Sequence, residues 1–240
     1  MKSGNEIDGV LLVDKASGMT SHDVVAITRR ALDTRKVGHC GTLDPLATGL
    51  LLITIGRGTK IQDLLMSEDK EYAGTLELGK VTDSQDADGV EIETRPVPDL
   101  GRSEIDAAFA KFHGDFYQTP PMVSAIKKDG VPLYKLARQG KEIEREPRFV
   151  HVYAHEIQAV RLPEIDFRVV CSKGFYVRTY AHDIGHELGC GAHLKSLRRM
   201  KSGRFNVDGA ITVEELKAGP PEAVAARVMS LPAVSRLRGA

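Results

Sequence analysis

The sequence predicts a mixed α+β fold, a largely antiparallel sheet flanked by helices, in one domain over residues 1–240. Three observations carry that expectation. Strand-like and helix-like segments are interspersed without the strict alternation that builds a parallel sheet. At 240 residues, with 42% hydrophobic and 28% charged residues, the chain can bury a sizeable core and is of ordinary composition. No internal repeat or low-complexity run suggests a solenoid, collagen or disorder.

The elements follow in order. Gly9–Val13 (GVLLV) is a short apolar run that reads as a buried strand. Thr20 or Ser21 caps a helix to about Leu32, with Val24, Ile27 and Ala31 on one face. A loop rich in Gly, Thr and Pro (Gly38–Gly49) leads into the strand-like LLLITIG. Tyr72–Leu78 alternates like a strand, and Ser103–Phe112 is an amphipathic helix with Ile105, Phe109 and Phe112 inward. Residues 119–148 are polar, basic and punctuated by Pro and Gly, which predicts a projecting insertion. Phe149–Val160 and Ile165–Cys171 read as paired strands, and Tyr176–Leu188 as a helix ended by Gly189. Thr212 and Glu215 form a capping box that opens a last short helix.

Charge and composition exclude several classes. The longest apolar run, Gly49–Ile55, is too short to span a bilayer, and no apolar stretch follows Lys2 to make a secretory signal. Three cysteines fit a reducing cytoplasm better than a disulfide scaffold. Net charge is zero, yet it is unevenly spread: residues 77–106 carry nine acids against three bases, and residues 126–150 seven bases against four acids. Residues 192–205 hold Lys195, Arg198, Arg199, Lys201 and Arg204 with no acid, the footprint expected for a phosphate backbone or, equally, a solvated basic face.

Most chemical motifs fail on spacing. Neither a dinucleotide-binding Gly-x-Gly-x-x-Gly nor a phosphate-loop Gly-Lys-Ser/Thr is present. Asp86-Ala-Asp88-Gly89 resembles part of a calcium loop, but its twelfth position is Arg95 where an acid should chelate. His182 and His186 lie four apart with Asp183 in the place a zinc protease gives to glutamate, so no metal site is expected. The informative stretch is Gly38–Gly49 (GHCGTLDPLATG). An Asp before Pro is commonly a turn starter; the same extended backbone can also fix a carboxylate at a loop tip. Glycines at 38, 41 and 49 let another backbone approach closely.

That stretch does not stand alone. GHCGTLDPLATGLLLITIG, the earlier KASGMTS (Lys15–Ser21), the later CSKGFYVRTYAHDIG (Cys171–Gly185) and HLKSLRRMKSGRF, in that order and spacing, resemble the bacterial TruB family, the tRNA pseudouridine-55 synthases. The resemblance runs from about Gly9 to Phe205. Ala16 departs from it, standing where the family usually has proline, and no complete C-terminal RNA-binding domain is expected from the residues after Phe205.

The resemblance implies a pseudouridine-synthase-type sheet and a reaction in which uracil leaves C1′, turns and is reattached through C5, with no cofactor. It makes Asp44 the catalytic carboxylate, acting as nucleophile or as base for the C2′ proton. Arg178 matches the arginine that pairs with that aspartate and keeps it anionic. Tyr72 matches the tyrosine that stacks on the target base, and His39 the histidine entering the space around the flipped nucleotide. Tyr176 and Leu197 match residues lining the uracil pocket.

The implied RNA contacts are Lys15, Lys127, Lys128, Tyr134 and Arg138, with Arg198, Arg199 and Lys201 tracking the stem backbone. The 119–148 insertion would then be the thumb that closes on the T-arm of tRNA. The expected protein is a cytoplasmic monomer with no membrane and no guide RNA. Rival readings are a tRNA chaperone without chemistry, the guide-RNA-dependent branch of the superfamily, and a zinc hydrolase built on His182 and His186.

Overall fold

The structure, a computed structural model, describes residues 7–124, 127, 128, 130–133, 136, 139 and 143–239, with backbone only at 127, 128 and 132. In chain order the strands are β1 (Gly9–Lys15), β2 (Val37–Cys40), β3 (Thr48–Ile55), β4 (Lys70–Leu78), β5 (Lys80–Thr82), β6 (Glu91–Thr94), β7 (Gly114–Gln118), β8 (Lys127–Lys128), β9 (Val131–Pro132), β10 (Arg148–Arg161), β11 (Glu164–Cys171), β12 (Ala192–Ser202), β13 (Phe205–Asn206), β14 (Ile211–Thr212) and β15 (Met229–Ser230). The α-helices described are α1 (Ser21–Ala31), α2 (Gln62–Met66), α3 (Arg102–Ala110), α4 (Val177–Glu187), α5 (Val213–Ala218), α6 (Pro221–Ala226) and α7 (Leu231–Arg238). The chain forms two compact units, Met1–Glu71 with Arg198–Ala240, and Tyr72–Leu197.

The first unit is organised on β3, whose residues Gly49–Ile55 are all buried, as its unbroken apolar run predicts. β1 pairs antiparallel with β3 from Gly9↔Ile55 to Lys15↔Gly49. β2 pairs antiparallel with β3 at Val37↔Ile55 through Cys40↔Leu52, and residues 198 and 199 of β12 pair in parallel with Thr48 and Gly49. Gly49 is required there. Its φ is +96°, and an added Cβ would lie 2.3 Å from the Arg199 carbonyl oxygen. Helix α1 begins where the sequence places it: Thr20 accepts from the Asp23 amide while Asp23 returns a bond to the Thr20 amide. The Thr212–Glu215 box likewise opens α5.

The second unit holds the β10–β11 hairpin, in register from Val152↔Cys171 to Arg161↔Glu164, with β7 on the other side of β10. Helices α3 and α4 close over it through an aromatic core. The rings of Phe109, Phe167 and Tyr180 meet edge to face at 5.8–6.0 Å, contacts worth about 0.5–1.5 kcal/mol each beyond their buried area. Ile105 and Phe109 are fully buried as expected, while Phe112 is half-buried.

Two details differ from expectation. The basic run 192–205, read only as a charged stripe, is mostly the strand β12, with Ala192, Leu194 and Leu197 packed inward. The start of the 119–148 insertion does not project, because Pro120, Pro121 and Ser124 are buried; β8 and β9 pair beyond it as a short ribbon. Among the described residues, no helix is long and apolar enough to cross a membrane.

Candidate active site

Asp44 lies half-buried in the loop between β2 and β3. Hydrogen bonds fix that loop at almost every residue. Ser21 Oγ accepts from the Leu43 amide at 2.9 Å and donates to the Leu43 carbonyl at 3.2 Å. Ser17 Oγ donates to Leu46 O at 3.1 Å, and the Gly18 amide to Pro45 O at 2.9 Å. The Lys15 ammonium, fully buried, donates to the carbonyls of Met19 (2.7 Å), Ala16 (2.9 Å) and Pro45 (3.3 Å). Arg199, 2% exposed, directs Nε at Leu50 O (2.7 Å) and Nη2 at Gly41 O (3.1 Å), bracing both ends of the loop. The Ala47 amide closes on the Asp44 carbonyl at 3.1 Å, making a turn that Asp44 opens and Pro45 and Leu46 round.

His39 sits on β2 opposite Ile53, its ring edge to face with His22 at 5.0 Å. Burial, aided by the nearby charges of His22 and Arg199, lowers its pKa to about 4. The ring is therefore neutral at ordinary pH, suited to packing against a base rather than to binding phosphate as a cation.

In the second unit, Arg178 occupies the first turn of α4 and is 3% exposed. Its guanidinium donates to Ser84 O at 2.8 Å and to Val123 O at 2.7 Å, and Nε lies 3.6 Å from the Asp86 carboxylate. Asp86 is in turn held by Ser84 Oγ at 2.5 Å and by the Asp88 amide at 3.2 Å. Thr179 reaches Gln85 Oε1 at 2.9 Å, so α4 grips the same turn twice. The Tyr176 backbone, just before α4, exchanges two bonds with the Gln118 amide at 2.8 and 3.0 Å. Tyr72 and Leu197 are buried on β4 and β12.

The structure thus brings Asp44, His39, Lys15 and Arg199 together in one unit, and Tyr72, Arg178, Tyr176 and Leu197 in the other. Several expected RNA contacts fall elsewhere. Lys15 and Arg199 are buried and directed at backbone carbonyls, because the Asp44 loop needs donors more than the surface needs charge. Arg198 chelates Asp14 at 3.0 and 2.6 Å, Lys201 meets Glu71 at 3.2 Å, and Lys195 lies between Glu77 (2.9 Å) and Glu164 (2.5 Å). The acid-free stripe in sequence is neutralised in space by acids from other strands. Lys127 and Lys128 lie on β8, while Tyr134 and Arg138 fall outside the described residues.

Sequence reasoning missed Asp86 as a partner of Arg178, having tested its motif only for calcium. Its signal was the Ser84-x-Asp86-x-Asp88-Gly89 turn, whose short polar side chains bond locally. As for the histidines, His193 points Nδ1 at Lys80 O (3.3 Å), and among the described residues no group of three His, Cys, Asp or Glu side chains could hold a metal.

Comparison with known proteins adds three findings. Residues 29–177 match the model of the TruB family pseudouridylate synthase N-terminal domain, and residues 178–225 that of the tRNA pseudouridylate synthase B C-terminal domain. The chain is 59% identical over 215 residues to tRNA pseudouridine synthase B of Opitutus terrae, covering 90% of this chain and 89% of the relative. It is 50% identical to the Syntrophotalea carbinolica protein of that name, covering 90% of this chain and 71% of the relative. Among solved structures, a Cbf5–Nop10–Gar1 complex is similar with a TM-score of 0.73 at 28% identity, over 96% of this chain. The chain spans 62% of that solved chain.

Proposed function

Because the chain belongs to the TruB family of pseudouridylate synthases, we propose that it isomerises a uridine in the T-loop of tRNA, U55, to pseudouridine. Asp44 is the catalytic carboxylate in this reading. The bond from C1′ to N1 breaks and one from C1′ to C5 forms; C5 gives up its proton and N1 gains one. Atoms and electrons balance within the substrate, so neither a redox partner nor a group donor is required. A uridine in a folded loop has to leave its stack to reach a half-buried carboxylate. His39, neutral and half-buried, is suited to the space it vacates.

The observation that carries the proposal is the bracing of the Asp44 loop by Lys15, Ser17, Ser21 and Arg199. A turn without chemical work has no need of two buried cations on its carbonyls, whereas a reacting carboxylate does need fixed placement. Tyr72 is assigned to the target base, Arg178 to holding a carboxylate anionic, and Tyr176 and Leu197 to the uracil pocket. The same composition disfavours a purely binding role, which would need basic and aromatic groups rather than a fixed carboxylate.

The test is incubation with unmodified tRNA followed by mapping of pseudouridine at single-nucleotide resolution. Wild-type protein is expected to convert one T-loop uridine. Asp44→Asn is expected to bind tRNA normally while its single-turnover rate falls at least about a thousandfold, near 4 kcal/mol of barrier. A rate within tenfold of wild type would remove Asp44 from the chemistry.

A further inference from the structure

The run expected to contact phosphate is paired off, but another cationic cluster is not. Arg29, Arg30, Arg35 and Lys36, at the end of α1 and in the turn after it, are all exposed, with Asp33 as the one acid among them. Among the described residues none of the four makes an ion pair within 4 Å. This is the reverse of Arg198 with Asp14 and Lys201 with Glu71 in the same unit. Lys36 acts only at longer range, on the Asp8 carboxyl that Arg57 holds.

The cluster is also rigid. Thr34 N bonds to Arg29 O at 3.1 Å, Val37 N to Arg35 O at 3.1 Å, and Gly56 N to Lys36 O at 2.8 Å, so the backbone carrying the charges is pinned to its own turn and to β3. Arg29 serves partly as structure, donating to Val37 O at 3.0 Å beside the negative end of α1. Arg29, Arg30, Asp33, Thr34 and Arg35 line an open cleft of about 520 Å³. The side chains that line it are all charged or polar, three of them arginines, which suits an anionic partner. Lys36 leads directly into β2, and three steps of extended strand, about 10 Å, take the chain from it to His39.

We propose that Arg30, Arg35 and Lys36, with Arg29 behind them, form a phosphate-contact surface on which the tRNA backbone lies as the uridine enters beside the Asp44 loop. The proposal rests on the functional reading above and moves the main electrostatic contact from β12 to the α1–β2 turn. Cations without carboxylate partners release counterions when phosphate replaces solvent, whereas paired ones must first break their ion pairs.

The experiment measures the dissociation constant of unmodified tRNA between 50 and 200 mM salt, at about the range where counterion release dominates. The Arg30→Gln/Arg35→Gln/Lys36→Gln variant is expected to lower the log–log slope by about 2–3, from roughly 0.7–0.9 per lost phosphate contact. The Arg198→Gln/Lys201→Gln variant should lower it by less than about 1. Lys36→Glu alone, at an exposed site, should weaken binding at least threefold at the lowest salt. An unchanged slope in the triple variant, or a larger loss in the β12 pair, would overturn the proposal. Binding is read apart from chemistry: steep wild-type binding without pseudouridine formation would sink the functional reading alone. Pseudouridine formation with an unaltered triple-variant slope would sink this surface alone.

Discussion

Around Asp44, two buried cations, Lys15 and Arg199, reach the carbonyls of a loop that presents a carboxylate. Around Arg178, two carbonyls and a buried carboxylate, Asp86, receive a cation. In the first case these charged groups act on the backbone that carries the functional side chain. In the second they act on the functional side chain itself. The two arrangements should therefore fail differently. Losing a brace at the Asp44 loop orphans buried carbonyls and loosens the whole turn, whereas losing Asp86 leaves Arg178 still anchored to Ser84 and Val123.

The largest expected effect is that of Arg199→Leu. The Gly41 and Leu50 carbonyls would lose their donor in a site with little access to water, at about 1–3 kcal/mol each. Unfolding in urea should show a loss of about 3 kcal/mol. The single-turnover rate on saturating tRNA should fall about a hundredfold, the cost of roughly 1 Å of misplacement. A variant with wild-type stability and rate would mean that the loop holds itself.

Asp86→Asn should cost less. The amide keeps its shape and the local bonds of the turn, and the guanidinium keeps its two carbonyls, so about 1–2 kcal/mol of stability is at stake. The rate should fall about tenfold, because Arg178, though still anchored, would lose its charged neighbour. Thermal melting and single-turnover kinetics on the same preparation separate the two. Equal stability losses in Asp86→Asn and Arg199→Leu would erase the distinction between the arrangements.

How much of this was legible in the sequence depends on what each residue bonds to. The β3 core, the Thr20 and Thr212 caps and the β10–β11 pairing rest on local pattern, and each forms as read. The Asp44 loop was visible because its glycines, its proline and its family motif are contiguous. What sequence could not supply was long-range pairing. Arg199 looked like a surface cation because its carbonyl acceptors lie about 150 residues away, and Lys15 did so although two of its three acceptors, Ala16 and Met19, are close in sequence and only Pro45 is distant. The stripe looked unneutralised because Asp14, Glu71, Glu77 and Glu164 come from three other strands. Asp86 was judged by a metal-loop template that had no place for an arginine. Conversely, the α1–β2 cations sit in plain view, and nothing in one dimension distinguishes a paired charge from an unpaired one.

The smallest expected effect concerns pH, and it separates the two regions by sign. His39 precedes the Asp44 loop, and burial lowers its pKa to about 4 from an ordinary 6.5. The folded state therefore resists its protonation, and the stability tied to a neutral His39 is lost as pH falls from about 6.5 toward 4. Asp183 lies on α4, the helix that carries Arg178, and burial raises its pKa to about 6 from 3.8, against a smaller opposing pull from His186. Here the folded state favours the proton, so stability is greater at low pH and is lost as pH rises from about 4 to 6. Both groups are partly reached by solvent, which reduces each contribution to about 1 kcal/mol, or 2–4 °C of melting temperature in a chain of this size. Asp183→Asn should raise the melting temperature at pH 7.5, with the gain vanishing below pH 4. His39→Gln should gain on wild type as pH falls from 6.5 toward 4. The measurement is the wild-type minus variant melting temperature at half-unit steps from pH 4 to 8. Opposite slopes are expected for the two variants; parallel slopes would mean that burial does not govern both groups as their positions require.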